Sequence, residues 1–280
     1  MPSGGEGRNG SVRTGPAGEA NSYLFPRHPS EVNRLDLQHY ALRETLGANY
    51  LAPIAGPARI LDVGSGTGQW TFDLCHEFPS ALGIGVDLVP SKSAGPAKYR
   101  FVQGDVTAGL PFANGIFDFV HQRLLRVGIP VDCWGGVIAE LVRVTRERGW
   151  VELAEIDTGL EHAGPVTTEL FGYFYRLLGD LGLDVEGSVA LHLGPNLARA
   201  GLRNIAGRQV KMPLGEWGGR QGSFIASDTR AAFMRLAPVL EKRYQVPPEH
   251  TFELLRRALA ECERYQTTFS FSYAWGQRVD

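Results

Sequence analysis

The most chemistry-bearing stretch of the 280-residue chain is Ile60-Leu61-Asp62-Val63-Gly64-Ser65-Gly66-Thr67-Gly68-Gln69-Trp70. The apolar run before it reads as a strand and the run after it as a helix, the context in which a glycine loop cradles a ligand. Glycine permits the positive φ of a tight turn and lets backbone approach a ligand closely. Asp87 stands nineteen residues beyond Gly68, at the end of the next strand, where a carboxylate accepts hydrogen bonds from the two ribose hydroxyls. Two nucleoside cofactors compete for such a loop. A dinucleotide fingerprint needs its third glycine where Gln69 stands, and Asp62 beside a pyrophosphate sets like charges together. S-adenosylmethionine (SAM) has no phosphate; it brings a sulfonium and an ammonium, which an acidic neighbour suits. The pattern favours SAM, with contacts expected from Asp62, Gly64, Ser65, Gly66, Gly68, Gln69, Asp87 and Leu88.

Further along, Gln103-Gly104-Asp105-Val106 follows a third strand, and a carboxylate there can accept the adenine amine. A turn or helix-cap aspartate is the plainer reading of Asp105 by itself. His121 and Gln122 fall at the carboxyl end of a central strand, where ligands sit in open α/β sheets. The corresponding chemistry is displacement of the sulfonium methyl by a substrate O, N, S or C, helped by positioning and desolvation. Where a hydroxyl needs a general base, His121 comes first, Glu155 and His162 second and His192 third. Holding the cofactor or the next loop is the commoner role for a histidine placed like His121.

On the acceptor side, Val32, Leu35, His39, Leu42 and Leu46 form one face of a helix running from Pro29-Ser30 to Gly47. His39 therefore lies on the apolar stripe, either as a half-buried core histidine or facing a ligand. Tyr23, His39, Tyr173 within Phe171-Gly172-Tyr173-Phe174-Tyr175, Trp217 and Arg220 are the expected walls of an acceptor pocket. Aromatics at helical spacing are more often plain core. As pocket walls they suit an apolar or aromatic small molecule.

The elements that must position these groups alternate. Strands are expected at 59–63, 82–87, 99–103, 116–121 and 150–156, with helices at 68–78 and 134–146. That rhythm implies a parallel sheet covered on both faces. Beyond Asp157, helices are expected at 166–183 and 188–200 and a strand at 203–212. A helical stretch at 222–266, broken at Pro238 and Pro247-Pro248, precedes a last strand at 267–275. The expected architecture is a doubly wound, mostly parallel, seven-stranded Rossmann-like α/β sheet with a helical lid. Residues 1–20, with six glycines and no apolar periodicity, read as a disordered tail, and 21–52 as a helical leader. Residues 53–160 form the cofactor core, and 161–280 the rest of the sheet with the lid insertion at about 215–266.

Composition narrows the function. Twenty-eight basic against 30 acidic residues leave a net charge of −2, which argues against nucleic acid or an anionic membrane as partner. The 3 cysteines are widely spaced, so no metal site or disulfide framework is expected, and a reducing cytoplasm suits them. No apolar stretch approaches a membrane span. A homo-oligomer stays open.

The pieces ILDVGSGTGQW, GVDLVP, FVQGDV, LPF, FDFVH and ELVRVTRERGWVELAE resemble the core of the class I, Rossmann-like SAM-dependent methyltransferases. Glu147-Arg148-Gly149 departs from the usual Pro-Gly-Gly, a turn away from the cofactor. Tyr23-x-Phe25-Pro26 and Glu31-x-x-Arg34-Leu35-x-x-Gln38-His39 resemble the leader of fungal and actinomycete secondary-metabolite methyltransferases. The resemblance implies methyl transfer to a small molecule, O-methylation first, with adenosyl contacts on Gly64, Gly66, Gly68, Asp87, Asp105 and Val106, and His121 and Gln122 at the fourth strand's mouth. A SAM-binding regulator without turnover is the alternative, and a nicotinamide oxidoreductase a weaker one.

Overall fold

The computed structural model describes residues 29–90 and 95–279. The elements run α1 (Pro29–Leu46), β1 (Arg59–Val63), α2 (Gln69–Glu77), β2 (Leu82–Asp87), β3 (Tyr99–Gln103), β4 (Phe117–Arg123) and α3 (Trp134–Val144). They continue β5 (Thr145–Glu161), α4 (Pro165–Asp180), α5 (Ser188–Leu191), α6 (Leu193–Arg199), β6 (Arg203–Pro213), α7 (Gly219–Tyr244), α8 (Pro248–Tyr265) and β7 (Thr268–Gln277).

Seven strands form one sheet in the order β3-β2-β1-β4-β5-β7-β6. The pairings from β3 to β5 are parallel, while β7 runs antiparallel to both β5 and β6. The chain winds outward from β1 in one direction and from β4 in the other. This switch point opens a crevice at the carboxyl ends of the two central strands.

Burial on both faces explains why the central strands are near-continuous apolar runs. Leu61, Val63, Val120, Val151 and Leu153 face α3, α5 and α6, joining Val137, Ile138, Leu141, Val189 and Leu197 in one core. On the opposite face, Ile60 and Phe119 pack with Trp70 and Leu74 of α2. A separate core joins α4, α7 and α8 through Leu170, Leu177, Phe233, Leu240, Leu254 and Leu255. The two helices that follow β6 therefore pack on α4, which precedes it, as one layer before the chain returns to the sheet as β7.

The expected seven-stranded α/β architecture is the one observed, with local corrections. Pro238 does not break a helix; it sits inside α7. Proline removes one helical hydrogen bond, but Phe233, Leu236, Ala237 and Leu240 around it are all buried and hold the helix together across the defect. Strand β5 is longer than 150–156 because β4 and β7 pair along both its edges, with a register shift between Ile156 and Leu160. Helix α3 ends at Val144 rather than Arg146, and Arg148 turns with φ 62° inside the following strand segment. The proposed tail at 1–20 and the start of the leader lie outside the described residues. Among the described residues, no helix is long and apolar enough to cross a membrane. Nor do three His, Cys, Asp or Glu side chains cluster there as metal ligands.

Candidate functional site

The loop between β1 and α2 turns through three left-handed glycines, Gly64 (φ 73°), Gly66 (φ 54°) and Gly68 (φ 84°). A side chain at Gly64 would collide with Leu125, since its Cβ would lie 2.4 Å from the leucine's methyl carbon. The amides of Gly64 and Ser65 donate to the Val86 carbonyl at 2.8 and 3.0 Å. Gly66 N donates to Asp87 Oδ2 at 2.9 Å, and Val89 N donates to Asp87 Oδ1 at 3.0 Å. The carboxylate at the end of β2 thus pins the loop as well as facing the crevice. Burial pushes its carboxyl pKa up from the ordinary value.

These residues border a cavity of about 740 Å³ that runs along the carboxyl ends of the sheet beneath α1, α4 and α7. The size falls within the range of small-molecule sites.

Under the loop, three ionisable side chains lie in register on adjacent strands. Asp62 pairs with His121 across β1 and β4, and His121 pairs with Glu152 across β4 and β5. Asp62 Oδ1 is 3.2 Å from His121 Nδ1, and Asp62 Oδ2 accepts from Thr71 Oγ1 at 2.9 Å. The His121 ring stacks flat against Trp70, centroids 3.8 Å apart at 9°. Burial lowers the pKa of His121, so the neutral ring donates from Nδ1 to Asp62. Glu152 Oε2 accepts from the amides of Leu51 and Ala52 at 2.7 and 2.6 Å, and burial raises its pKa to about 7. This carboxyl group fastens the α1–β1 linker to the sheet.

Helix α1 closes over the glycine loop through polar contacts. Thr67 Oγ1 donates to Asp36 Oδ1 at 2.6 Å. Arg34 and Gln38 both donate to Asp228 of α7, at 2.7 and 3.1 Å. His39 is 3% exposed and links two strongly charged partners. Arg123 Nη2 lies 3.1 Å from His39 Nδ1 and His39 Nε2 lies 3.1 Å from Asp73 Oδ2. A guanidinium only donates, so Nδ1 is the bare nitrogen and Nε2 carries the proton. Burial, and then the Arg123 charge, lower the His39 pKa to about 4, which agrees with that neutral tautomer.

The far half of the cavity is apolar. Phe171 and Phe174 of α4 meet Phe233 of α7, with centroids 5.2 and 6.3 Å from its ring. Leu214, Ile225, Phe269 and Phe271 extend the wall. Glu155 lies at its edge, with Oε1 and Oε2 accepting from the amides of Leu125 and Arg126 at 2.7 and 3.2 Å. Burial raises its pKa to about 7.

The structure gathers most of the expected cofactor residues. Asp62, Gly64, Ser65, Gly66, Gln69, Asp87, Leu88, Gly104, Asp105, Val106 and His121 border the cavity. Gly68 does not; it caps α2 from behind the loop. Gln122 is 0% exposed and points away, because alternation along β4 puts it on the opposite face from His121. Asp105 caps the turn after β3, accepting from Thr107 N and Oγ1 at 2.8 and 2.6 Å.

The acceptor residues are rearranged more. His39 lines the cavity, and Tyr23 lies outside the described residues. Tyr173, Trp217 and Arg220 do not line it. Phe171, Phe174 and Tyr175, at helical spacing, take the face expected of Tyr173. Trp217 is half-buried on the turn before α7, and Arg220 is exposed, 3.5 Å from Glu44. His162 and His192 are both exposed and away from the cavity, His162 on the turn after β5. His121 is 1% exposed and committed to Asp62, and Glu155 has both oxygens occupied, so neither is presented as a free base.

Sequence reasoning missed Arg123, Arg126, Asp157 and Asp228 at the cavity. Arg123 was within reach of it. It follows His121 by two positions on a strand and so shares its face.

Comparison with known proteins matches residues 60–149 to the family model described as "Methyltransferase domain". A methyltransferase of Aspergillus terreus, pytC, is 30% identical over 71% of this chain and 63% of its own length. The chain thus spans less than two thirds of that relative. An N-methyltransferase of Clonostachys rogersoniana, verN, is 28% identical over 92% of this chain and 93% of that protein. In fold, the chain is similar to a putative sarcosine dimethylglycine methyltransferase of Galdieria sulphuraria, with a TM-score of 0.50 at 15% identity. That match covers 89% of this chain and 87% of the other.

Proposed function

We propose that the chain, whose residues 60–149 match a methyltransferase-domain family model, is a class I enzyme that transfers a methyl group from SAM to an apolar or aromatic small molecule. The observation that carries this reading is a single continuous cavity. Its near half is a glycine loop pinned to Asp87, and its far half is walled by Phe171, Phe174, Phe233 and Phe271.

The near half fits the cofactor chemically. Two left-handed glycines, Gly64 and Gly66, border the cavity where side chains would press on Leu125 and Leu35 of its lining, and the loop itself contributes no cation for a phosphate. Asp87 is placed for the ribose hydroxyls and Asp105 for the adenine amine, which its Oδ2 can accept while Oδ1 caps the turn. Asp62, Gly64, Ser65, Gly66, Gln69, Leu88, Gly104 and Val106 complete the proposed contacts.

SAM supplies a methyl group already activated on a sulfonium. The chain's task is therefore to orient the acceptor in line with it and to exclude water. Helices α1 and α7, clasped through Arg34 and Asp228, form the proposed lid, and the aromatic wall fixes the acceptor's apolar body. His121 holds Asp62 and Glu155 holds the turn after β4, so catalysis rests on positioning rather than on an aimed base. Secondary metabolism is the proposed setting, supported by the similarity to two fungal proteins named as secondary metabolism regulators.

Calorimetry with SAM, followed by methyl transfer across a panel of apolar phenols, alcohols, amines and thiols, tests the reading. Micromolar SAM binding with turnover of a hydroxyl or amine acceptor is expected. Binding without turnover on any member would make the chain a SAM-binding regulator. Binding of NADH in place of SAM would overturn the reading altogether.

A further inference from the structure

Three arginines line the cavity, and two of them are matched by the protein. Arg34 has Asp228 at 2.7 Å, and Arg126 donates to the Asp184 carbonyl at 3.2 Å with Glu155 beside it. Arg123 differs. Among the described residues it makes no ion pair, and its hydrogen bond is to the neutral imidazole of His39 at 3.1 Å. The buried Glu152 feels its charge, but no carboxylate bonds it, so a guanidinium half-withdrawn from water keeps donors for an anion that a ligand can supply.

The guanidinium is nevertheless held in place. His39 Nε2 is tied to Asp73, and Asp73 is itself fixed by Arg43 and by Gln69 Nε2 at 3.1 Å. Asp62, also at the cavity, sits one strand over, opposite the residue two positions before Arg123 and on the same face of the sheet. An acid and a cation therefore border the glycine loop together. Their pairing complements the ammonium and carboxylate of an α-amino acid.

We infer that Arg123 binds the carboxylate at the amino-acid end of the cofactor, and that His39, backed by Asp73, is its positioning residue. A guanidinium fork takes a carboxylate through two parallel hydrogen bonds, which a neutral imidazole support permits and a carboxylate partner would pre-empt. The inference rests on the cavity being a SAM site.

Calorimetry with SAM and with decarboxylated SAM, which lacks only the carboxylate, separates the two claims. Wild-type protein is expected to prefer SAM by about 10- to 100-fold, the range for hydrogen bonds to a charged group. Arg123→Met should weaken SAM by that factor and leave decarboxylated SAM unchanged, so that the preference collapses. His39→Leu should also lose most of the preference. His39→Gln should regain it, because its amide oxygen accepts from Arg123 and its amide nitrogen donates to Asp73.

The preference is a ratio within each variant, so the His39 pair carries the test even if Arg123→Met folds poorly. SAM bound by Arg123→Met as tightly as by wild type, or both ligands weakened equally, overturns the inference while leaving the SAM site standing. Equal preference in His39→Gln and His39→Leu removes His39 from the positioning role. Wild-type protein that binds neither ligand overturns the SAM site and this inference together.

Discussion

Asp62 Oδ1 and His121 Nδ1 lie 3.2 Å apart on directly paired residues of β1 and β4, with side chains 5% and 1% exposed. The pair joins the residue that leads into the glycine loop to the strand across the switch point. Removing one member of a buried pair leaves the other uncompensated. His121→Leu is expected to cost about 2 to 4 kcal/mol in urea unfolding, because Asp62 then keeps only Thr71. Asp62→Asn keeps one accepting oxygen for His121 Nδ1–H and turns its amide nitrogen to donate to the Thr71 hydroxyl, and should cost less than half as much. Equal losses in the two variants would show that the contact contributes little.

Asp87 pins the glycine loop and is the proposed ribose contact, so its removal should show in two measurements. Asp87→Ala frees the amides of Gly66 and Val89, both in half-buried residues, and should cost about 1 kcal/mol of stability. SAM affinity should fall by about 1.5 to 3 kcal/mol. An unchanged dissociation constant would remove Asp87 from the ribose site.

The clasp between α1 and α7 is testable by hydrogen exchange. Asp228→Ala removes the acceptor shared by Arg34 and Gln38. Exchange within 34–46 should quicken by about 5- to 150-fold, the equivalent of about 1 to 3 kcal/mol of lost local stability. Protection that stays at the wild-type level would mean that α1 is held by its apolar face alone.

The aromatic wall should act on the acceptor and not on the cofactor. Phe174→Ala is expected to raise the acceptor KM by about tenfold, the scale of a trimmed apolar contact, with SAM affinity unchanged. A loss of SAM affinity in place of a KM effect would put the acceptor elsewhere.

Stability should fall as pH rises through neutrality. Burial raises the pKa values of Glu152 and Glu155 to about 7, whereas an unfolded glutamate titrates near ~4.3. Between those values the native state binds more protons than the unfolded chain. The stabilisation is complete below the unfolded value and is lost as pH climbs through the native one. Below about pH 6.5 the lowered pKa values of His39 and His121 oppose this trend, because their native states bind fewer protons than the unfolded chain, so the drop in melting temperature should appear between about pH 6.5 and about pH 8. Glu152→Gln keeps an acceptor for the Leu51 and Ala52 amides but cannot ionise, and should flatten part of that slope. An identical slope in the variant would assign the effect to other groups.

The cofactor half of the cavity was legible in the sequence because its information is local. A strand, a glycine turn and a helix in succession place Gly64, Gly66 and Asp87, and the apolar runs put every strand but β5 within two residues of its observed bounds. The acceptor half was not legible in the same way. Its wall is assembled from α1, α4, α7 and β7, which lie far apart in sequence, and the face each helix turns inward is set by packing against its neighbours. A single step of 100° around α4 separates Phe174, which lines the cavity, from Tyr173, which does not. The same applies to charge. The residue types Asp73, His39 and Arg123 were visible from the start, but only the packing of α1 between α2 and the end of β4 made them a chain of contacts. By itself the sequence determined which cofactor the loop can cradle; tertiary structure decided what shares the cavity with it, because long-range packing and not local propensity chooses which side chains meet.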